Sequence, residues 1–342
     1  MAHADDQERA GVCRGGWCLV TGATGFVGSH LVEQLLMHGC RVRALVRQQS
    51  NLRWVDTSKV DMVSGDIEDP LTLVPALKDV SYVFHLAGVI KARDRDSYIR
   101  INAGGTESLL EACARLQVPP KRIVIVSSQA AGGPSQRDSA VTEADPPHPI
   151  SFYGESKLEA ERVAAGYFDR LSVAIVRPPV IYGPRESDVY QVIRIASKLR
   201  IVPLTGPPDT RLSIAYVSDV VMGIILAAET PRAAGQTYYL AGPEVITWGS
   251  FADAMEAALS FKVRRLRLPL AAARIVAFFS EIGSAITRKP ALFNREKVRE
   301  IIAPGWVCSI DKAREQLGFA PHVGIRDGLK MTVEWYRKNG WI

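Results

Sequence analysis

Apolar residues in the first two-thirds of the chain fall into short runs, separated by stretches in which they recur with helical spacing. The runs Trp17–Val20, Val42–Val46, Val60–Val63, Val80–His85, Arg122–Val126 and Ser172–Val176 predict buried strands. The stretches Phe26–His38, Leu71–Leu77, Ser97–Leu116 and Phe152–Phe168 predict helices. Strands that alternate with helices run parallel and need crossovers, so the pattern predicts an α/β fold with a doubly wound parallel sheet. After about residue 178 the pattern changes to Pro- and Gly-rich loops, such as Arg177-Pro178-Pro179, and short helices. Thr247 is placed to cap a helix through Ser260, and Ser309 to cap one that stops at Gly318. Gln236–Leu240 reads as a further strand. The expected organisation is a disordered tail at residues 1–14, a sheet domain at 15–180, and a smaller lobe at 181–342. Residues of about 212–242 should return to the sheet, so the lobe is interleaved with the core.

Composition narrows the class. The chain has 342 residues, 47% of them hydrophobic and 23% charged. That excludes disordered and fibrous chains and leaves room for one large core plus a lobe. The net charge of +6 suits anionic ligands. The basic residues are scattered, so no nucleic-acid partner is expected. The run Arg264-Arg265-Leu266-Arg267 reads as a strand with one solvated face. Five cysteines, an odd number with no CxxC pair, argue against a disulfide framework or a metal site and for a cytoplasmic location. No signal peptide is expected, because Met1 to Ala10 is polar. The most apolar segment, Leu268–Ile282, is broken by Pro269, Arg274 and Glu281 and is shorter than the ~20 residues of a membrane span. It is read as an amphipathic helix packed on the protein, with peripheral membrane contact as the alternative.

Chemistry enters at the first strand–helix junction, Thr21-Gly22-Ala23-Thr24-Gly25-Phe26-Val27-Gly28. In a Rossmann unit Gly22 permits the tight turn, Gly25 lets a pyrophosphate approach, and Gly28 lets the helix pack closely. The phosphates then meet free N–H groups at the positive end of the helix. Strand, glycines, helix and second strand stand in the required order. The second strand ends Val46-Arg47, where an NAD site would carry a carboxylate for the ribose. A guanidinium there can grip a 2′-phosphate, which favours NADP, with NAD as the alternative. Asp66-Ile67 after the third strand can bracket an adenine. Leu86-Ala87-Gly88 after the fourth lets the backbone pass the cofactor.

Tyr153 and Lys157 share one helix face at i and i+4. A phenol with a reference pKa of ~10 is a poor acid–base near neutrality, and a nearby ammonium can lower it. Lys157 can also hold a ribose. Ser128, at the end of the fifth strand, is preferred to Ser127 as the group that hydrogen-bonds a substrate oxygen. Asn102 stands inside a predicted helix, where asparagine has poor propensity. It either bridges that helix to the active-site strand or is a satisfied core amide.

Together TGxxGxxG, Asp66, Asn102, Ser127-Ser128, YxxxK, Arg177-Pro178-Pro179-Val180-Ile181-Tyr182-Gly183-Pro184 and Tyr216-Val217-Ser218-Asp219-Val220 resemble the extended short-chain dehydrogenase/reductase superfamily, also called the NAD-dependent epimerase/dehydratase family. The resemblance spans nearly the whole chain and implies catalytic Ser128, Tyr153 and Lys157, with Asn102 beside them. It implies cofactor contacts at Gly22, Thr24, Gly25, Phe26, Val27, Gly28, Arg47, Asp66, Ile67, Leu86, Ala87, Gly88, Pro178 and Val180, and a homodimer. Two departures bear on substrate. Val180 stands where nucleotide-sugar enzymes usually have asparagine, and the tyrosine of SSxAxYG is missing, since the text reads Ser128-Gln129-Ala130-Ala131-Gly132. The RPPVIYGP text and the Ala44-Leu45-Val46-Arg47 strand ending are similar to dihydroflavonol reductases and 3β-hydroxysteroid dehydrogenases, and the missing tyrosine fits a ligand other than a sugar. The expected function is NADP-dependent interconversion of a ketone and a secondary alcohol on a fairly apolar small molecule. The alternative is a nucleotide-sugar 4-epimerase or dehydratase with tightly held NAD. Arg185 and Arg211 are the cations such a site could use, and Tyr182 the one phenol in the segment Pro178–Tyr182. A non-enzymatic dinucleotide sensor is least favoured, because YxxxK is intact.

Overall fold

The computed structural model describes residues 16–137, 139–205, 207, 209–268 and 295–342. The expected tail at 1–14, and all but the first residue of the expected Leu268–Ile282 helix, lie outside these. The strands are β1 (Trp17–Thr21), β2 (Arg41–Val46), β3 (Val60–Ser64), β4 (Val80–His85), β5 (Arg122–Val126), β6 (Val173–Arg177), β7 (Val180–Tyr182), β8 (Ile201–Thr205), β9 (Arg211–Tyr216), β10 (Gln236–Tyr239), β11 (Val245–Thr247), β12 (Arg264–Leu268) and β13 (Gly305–Trp306). The helices are α1 (Phe26–Met37), α2 (Pro70–Ala76), α3 (Arg95–Ile99), α4 (Gly105–Ala114), α5 (Gln129–Gly132), α6 (Phe152–Ala165), α7 (Asp188–Leu199), α8 (Val217–Glu229), α9 (Trp248–Leu259), α10 (Arg295–Ile302), α11 (Asp311–Leu317) and α12 (Ile325–Lys338).

Seven strands form one parallel sheet in the order β10-β6-β5-β4-β1-β2-β3. Alternate side chains leave a strand on opposite faces. On β1, Cys18 and Val20 join the core beneath α1 and α8, while Leu19 joins the core beneath α2, α4 and α6. On β5, Val124 takes the first side and Ile123 and Ile125 the second. Covering both faces explains why these strands read as continuous apolar runs. The strand order reverses between β1 and β4, which opens a crevice at the carboxyl edge of the sheet.

The second half contributes to both bodies. Residues 217–239 return to the large sheet as α8 and β10. β9, by contrast, pairs with β7, β11 and β13 in a small separate sheet. β12 pairs with β8 in parallel, and its residues Arg264, Arg265 and Leu266 are exposed. Thr247 caps α9 in a reciprocal pair with Ser250. Ser309 Oγ accepts from the Asp311 N–H at 3.1 Å, and Gly318 closes α11 at φ 68°.

One expected element differs. Ser97–Leu116 is not a single α-helix: α3 passes into a π-helical turn at Arg100–Gly104 before α4 begins. The wider turn carries Asn102, and inserted turns of this kind are frequent at functional sites.

Candidate active site

The turn after β1 is built around close backbone approach. Gly22 has φ +72°, and a Cβ there would lie 2.7 Å from the Ala87 nitrogen at the end of β4. At Gly28 a Cβ would lie 2.1 Å from the Gly22 carbonyl oxygen. Gly28 therefore seats α1 on its own turn, not on the sheet as the sequence pattern suggested. Gly25 is exposed, and its Cβ position meets only the Gly22 carbonyl, at 3.2 Å. Gly25 caps α1 with no side-chain bond, and the first turn has no acidic residue. The N–H groups of Phe26, Val27 and Gly28 thus form an uncapped, positively polarised cradle that fits a pyrophosphate. Thr24 and the backbone of Leu86, Ala87 and exposed Gly88 border it.

Arg47 stands exposed at the end of β2, its N–H donating to Ser50 Oγ at 3.0 Å. It has no salt bridge among the described residues. Asp66 is half-buried and accepts from the Glu68 N–H at 3.1 Å, while Ile67 is buried against Gly105 at the start of α4.

At the same edge, Ser151 Oγ accepts from the Gly154 N–H and starts α6. This sets Tyr153 and Lys157 one above the other. Ser128 is the polar group that favours ionisation of the Tyr153 hydroxyl. Lys157 Nζ donates to the Val126 carbonyl at the end of β5, 3.0 Å away. Burial pushes the Tyr153 phenol up to about 12, while Ser128 pulls it down and Glu300 and Tyr98 push it further up. Burial pushes Lys157 down to about 8, opposed by Glu161. The expected lowering of the phenol by the ammonium is not found among the influences on Tyr153; burial dominates at both groups and disfavours both charged forms.

The serine pair is resolved by partners. Ser127 Oγ donates to Glu161 Oε1 at 2.5 Å inside the core, whereas half-buried Ser128 caps α5 and acts on the Tyr153 phenol. Asn102 is buried and fully used: Oδ1 accepts from the Val89 N–H at 2.8 Å, and Nδ2 donates to the Val89 carbonyl at 3.1 Å and to Ser156 Oγ at 2.9 Å. It ties the loop after β4 to α6, as a bridge and a satisfied amide at once. His85 lies behind it, bonded to Thr21 and Thr106, and burial holds it neutral, down to about 3.

Three of the residues named from the sequence make contacts within the fold. Tyr182 is buried, its hydroxyl donating to the Gly324 carbonyl at 3.3 Å and packed on Gly328. Arg185 pairs with Glu33 at 2.5 Å, donates to Ser29 Oγ at 3.1 Å and lies over the Trp54 ring. Pro178 is buried, its carbonyl accepting from the Gln129 N–H. Val180, by contrast, is 62% exposed, and Arg211 is exposed.

Sequence reasoning missed Glu161, Arg177, Tyr98, Glu296 and Glu300. Tyr98 lies 6.3 Å from Tyr153 ring to ring, and Glu296 on α10 accepts from the Phe152 N–H at 2.8 Å. Only Glu161 had a local signal, since it continues the Tyr153–Lys157 face at i+4. The others come from distant segments.

The family model described as NAD dependent epimerase/dehydratase family matches residues 18–242. A ceramide reductase of Caulobacter vibrioides is 29% identical over 94% of this chain and 95% of its own length. A decarboxylating sterol-4-alpha-carboxylate 3-dehydrogenase of Mus musculus is 28% identical over 93% and 90%. Among solved structures, MoeE5 in complex with UDP-glucuronic acid and NAD is 27% identical, covers 95% of this chain and 100% of its own, and superposes with a TM-score of 0.76.

Proposed function

From a chain that belongs to the NAD dependent epimerase/dehydratase family, and is thus an NAD(P)-dependent oxidoreductase of the extended short-chain dehydrogenase/reductase type, we propose an NADP-linked interconversion of a ketone and a secondary alcohol on a fairly apolar small molecule. The carrying observation is the placement of Tyr153 and Lys157 one helical turn apart on α6, with Ser128 acting on the Tyr153 phenol, at the sheet edge that also bears the uncapped start of α1.

The Phe26, Val27 and Gly28 N–H groups would hold the pyrophosphate, Asp66 the adenine, Arg47 the 2′-phosphate and Lys157 the nicotinamide ribose. When bound, the reduced nicotinamide supplies the hydride for the carbonyl carbon. Ser128 Oγ orients the carbonyl oxygen, and Tyr153 Oη delivers the proton that completes the alcohol. In the reverse direction Tyr153 accepts that proton. Lys157 stabilises the tyrosinate left after transfer, the moment at which its charge counts most.

Exposed Val180 and the engagement of Arg185 and Tyr182 elsewhere favour an apolar substrate over a sugar nucleotide. The ceramide and sterol named for two relatives agree with that reading. Exposed Arg211 remains free to meet a diphosphate, and the sugar-nucleotide complex of MoeE5 supports the rival epimerase reading. A thermal-shift panel with NADPH present decides between them. Steroid, flavonoid, ceramide-like and β-keto compounds should give saturable stabilisation and cofactor oxidation. Stabilisation by UDP-glucose, UDP-galactose or dTDP-glucose, with an epimerised or dehydrated product, would sink the proposal.

A further inference from the structure

Behind the catalytic set lies a buried ionic network that the proposed mechanism does not use. Glu161 and Arg177 form a two-point pair, Arg177 Nε to Glu161 Oε1 at 2.9 Å and Nη2 to Oε2 at 2.5 Å, with both side chains more than nine-tenths buried. Glu161 Oε1 also accepts from Ser127 Oγ, the neighbour of Ser128. Arg177 Nη1 donates to Tyr239 Oη at 3.1 Å, and the guanidinium lies over the Tyr239 ring. That phenol fills the space a side chain at position 132 would need: a Cβ on Gly132 would lie 2.0 Å from Tyr239 Oη. A tyrosine at position 132, where SSxAxYG would place one, would clash with this phenol. Four elements meet here: α6, which carries Tyr153 and Lys157; the end of β5, which leads to Ser128; the end of β6; and β10.

A buried ion pair is a poor stability device, because desolvation offsets most of the attraction and apolar replacements of similar volume are often neutral or stabilising. Its position is more informative. Glu161 is one turn beyond Lys157 on α6 and is the acidic group that acts on that ammonium. The other charged or titratable groups facing this corner are His85 from β4, held neutral by burial; Tyr98 from α3; Tyr153 from α6 itself; and Glu300 from α10, which acts on Tyr153.

We propose that Glu161 and Arg177 are positioning residues: the pair locks α6 to the ends of β5 and β6, fixing Ser128 against Tyr153, and Glu161 serves as the buried counter-charge of Lys157. Arg177 orients the Glu161 carboxylate by gripping both of its oxygens, one of which also accepts from Ser127. This rests on the reading of Lys157 as a cofactor-binding residue.

The test is fluorescence titration of NADPH and NADH against the full chain between pH 6 and 10. Wild type should lose affinity through a midpoint near 8, where Lys157 gives up its proton. Glu161→Gln should move that midpoint at least half a unit to lower pH, so that affinity at pH 8 falls at least about twofold while affinity at pH 6 holds. Because Glu161→Gln strands a buried guanidinium and can fail to fold, the double variant Glu161→Gln/Arg177→Met is measured beside it. It should fold and show the same displaced midpoint. Lys157→Met should abolish the pH dependence. If it does not, the role given to Lys157 is wrong. If Lys157→Met abolishes the dependence but the double variant keeps the wild-type midpoint, or loses affinity equally at every pH, the Glu161–Arg177 proposal is overturned on its own.

Discussion

At the scale of single residues, Tyr153 and Lys157 set the expectations that matter most. With the phenol at about 12 and the ammonium at about 8, Tyr153 holds its proton and Lys157 its charge at neutral pH, the combination that carbonyl reduction requires. Tyr153→Phe should lower kcat by ~10²–10⁴, the range a positioned acid–base group supplies, with cofactor affinity little changed. Turnover of an identified ketone by stopped-flow or steady-state assay checks this, and wild-type kcat in the variant would rule Tyr153 out as the acid. Arg47 has a different task. Its guanidinium is exposed and makes no salt bridge among the described residues, so Arg47→Ala should weaken NADPH by ~2 kcal/mol, the order of one charged hydrogen bond, and leave NADH unchanged. Calorimetry with both dinucleotides decides it. Equal losses for the two, or a wild type that prefers NADH, would remove the argument for NADP.

At the scale of elements, α8 makes an unusual carboxylate placement. Glu229 is its last residue, at the negative end of the helix dipole, and burial pushes its carboxyl up to about 7. The unfolded chain releases this proton near the ordinary glutamate value of about 4.3. Between those values the unfolded state binds fewer protons, so stability falls as pH rises and is fully reduced above about 7. Glu229→Gln should then stabilise the protein at pH 8 by about 1 kcal/mol, discounted from the full linkage value because the group is half-exposed, and by nothing at pH 4. Denaturant melts at the two pH values test the sign. Elements also show what was legible in advance. The runs at Val80–His85 and Arg122–Val126 were readable because strands buried on both faces must be apolar throughout. The glycine turn was readable because its three glycines, and the strand and helix they join, are contiguous in sequence, although the backbone that crowds Gly22 comes from Leu86 and Ala87. The π-turn at Arg100–Gly104 was not, since it answers to Val89 and Ser156, partners distant in sequence that Asn102 must reach. Strands as short as β7 and β13 were also missed. They are two or three residues long and exist only because β9 lies beside them.

At the scale of the whole molecule, the C-terminus closes back onto the cofactor-binding half. Trp341 stacks on Tyr336 with ring centroids 5.1 Å apart, meets Trp335 at 5.3 Å and Tyr190 at 4.9 Å, and reaches Trp54 at 6.2 Å. Trp54 stands between β2 and β3, a few residues beyond Arg47, and Arg53 lies over its ring at 4.2 Å and over Trp341 at 5.2 Å. No local pattern could have revealed this cluster, because its members are drawn from positions 54, 190, 335, 336 and 341. Each aromatic contact contributes ~0.5–1.5 kcal/mol beyond its buried area, and a cation over an exposed ring ~0.5–1 kcal/mol. The cluster therefore anchors the segment that follows Arg47 to α12 and α7. Trp341→Ala should cost about 2 kcal/mol of stability, less than a fully buried tryptophan because the ring is half-exposed. It should also weaken NADPH severalfold, because the segment beyond Arg47 loses part of its support. kcat at saturating cofactor should stay at the wild-type value, since no member of the cluster contacts Ser128, Tyr153 or Lys157 through any hydrogen bond or ring contact described above. Urea melts together with NADPH titrations of the same variant test both halves of this expectation. A destabilised protein with unchanged NADPH affinity would mean that the cluster supports the fold alone and that Arg47 is positioned by β2 and the Ser50 turn without help from the C-terminus.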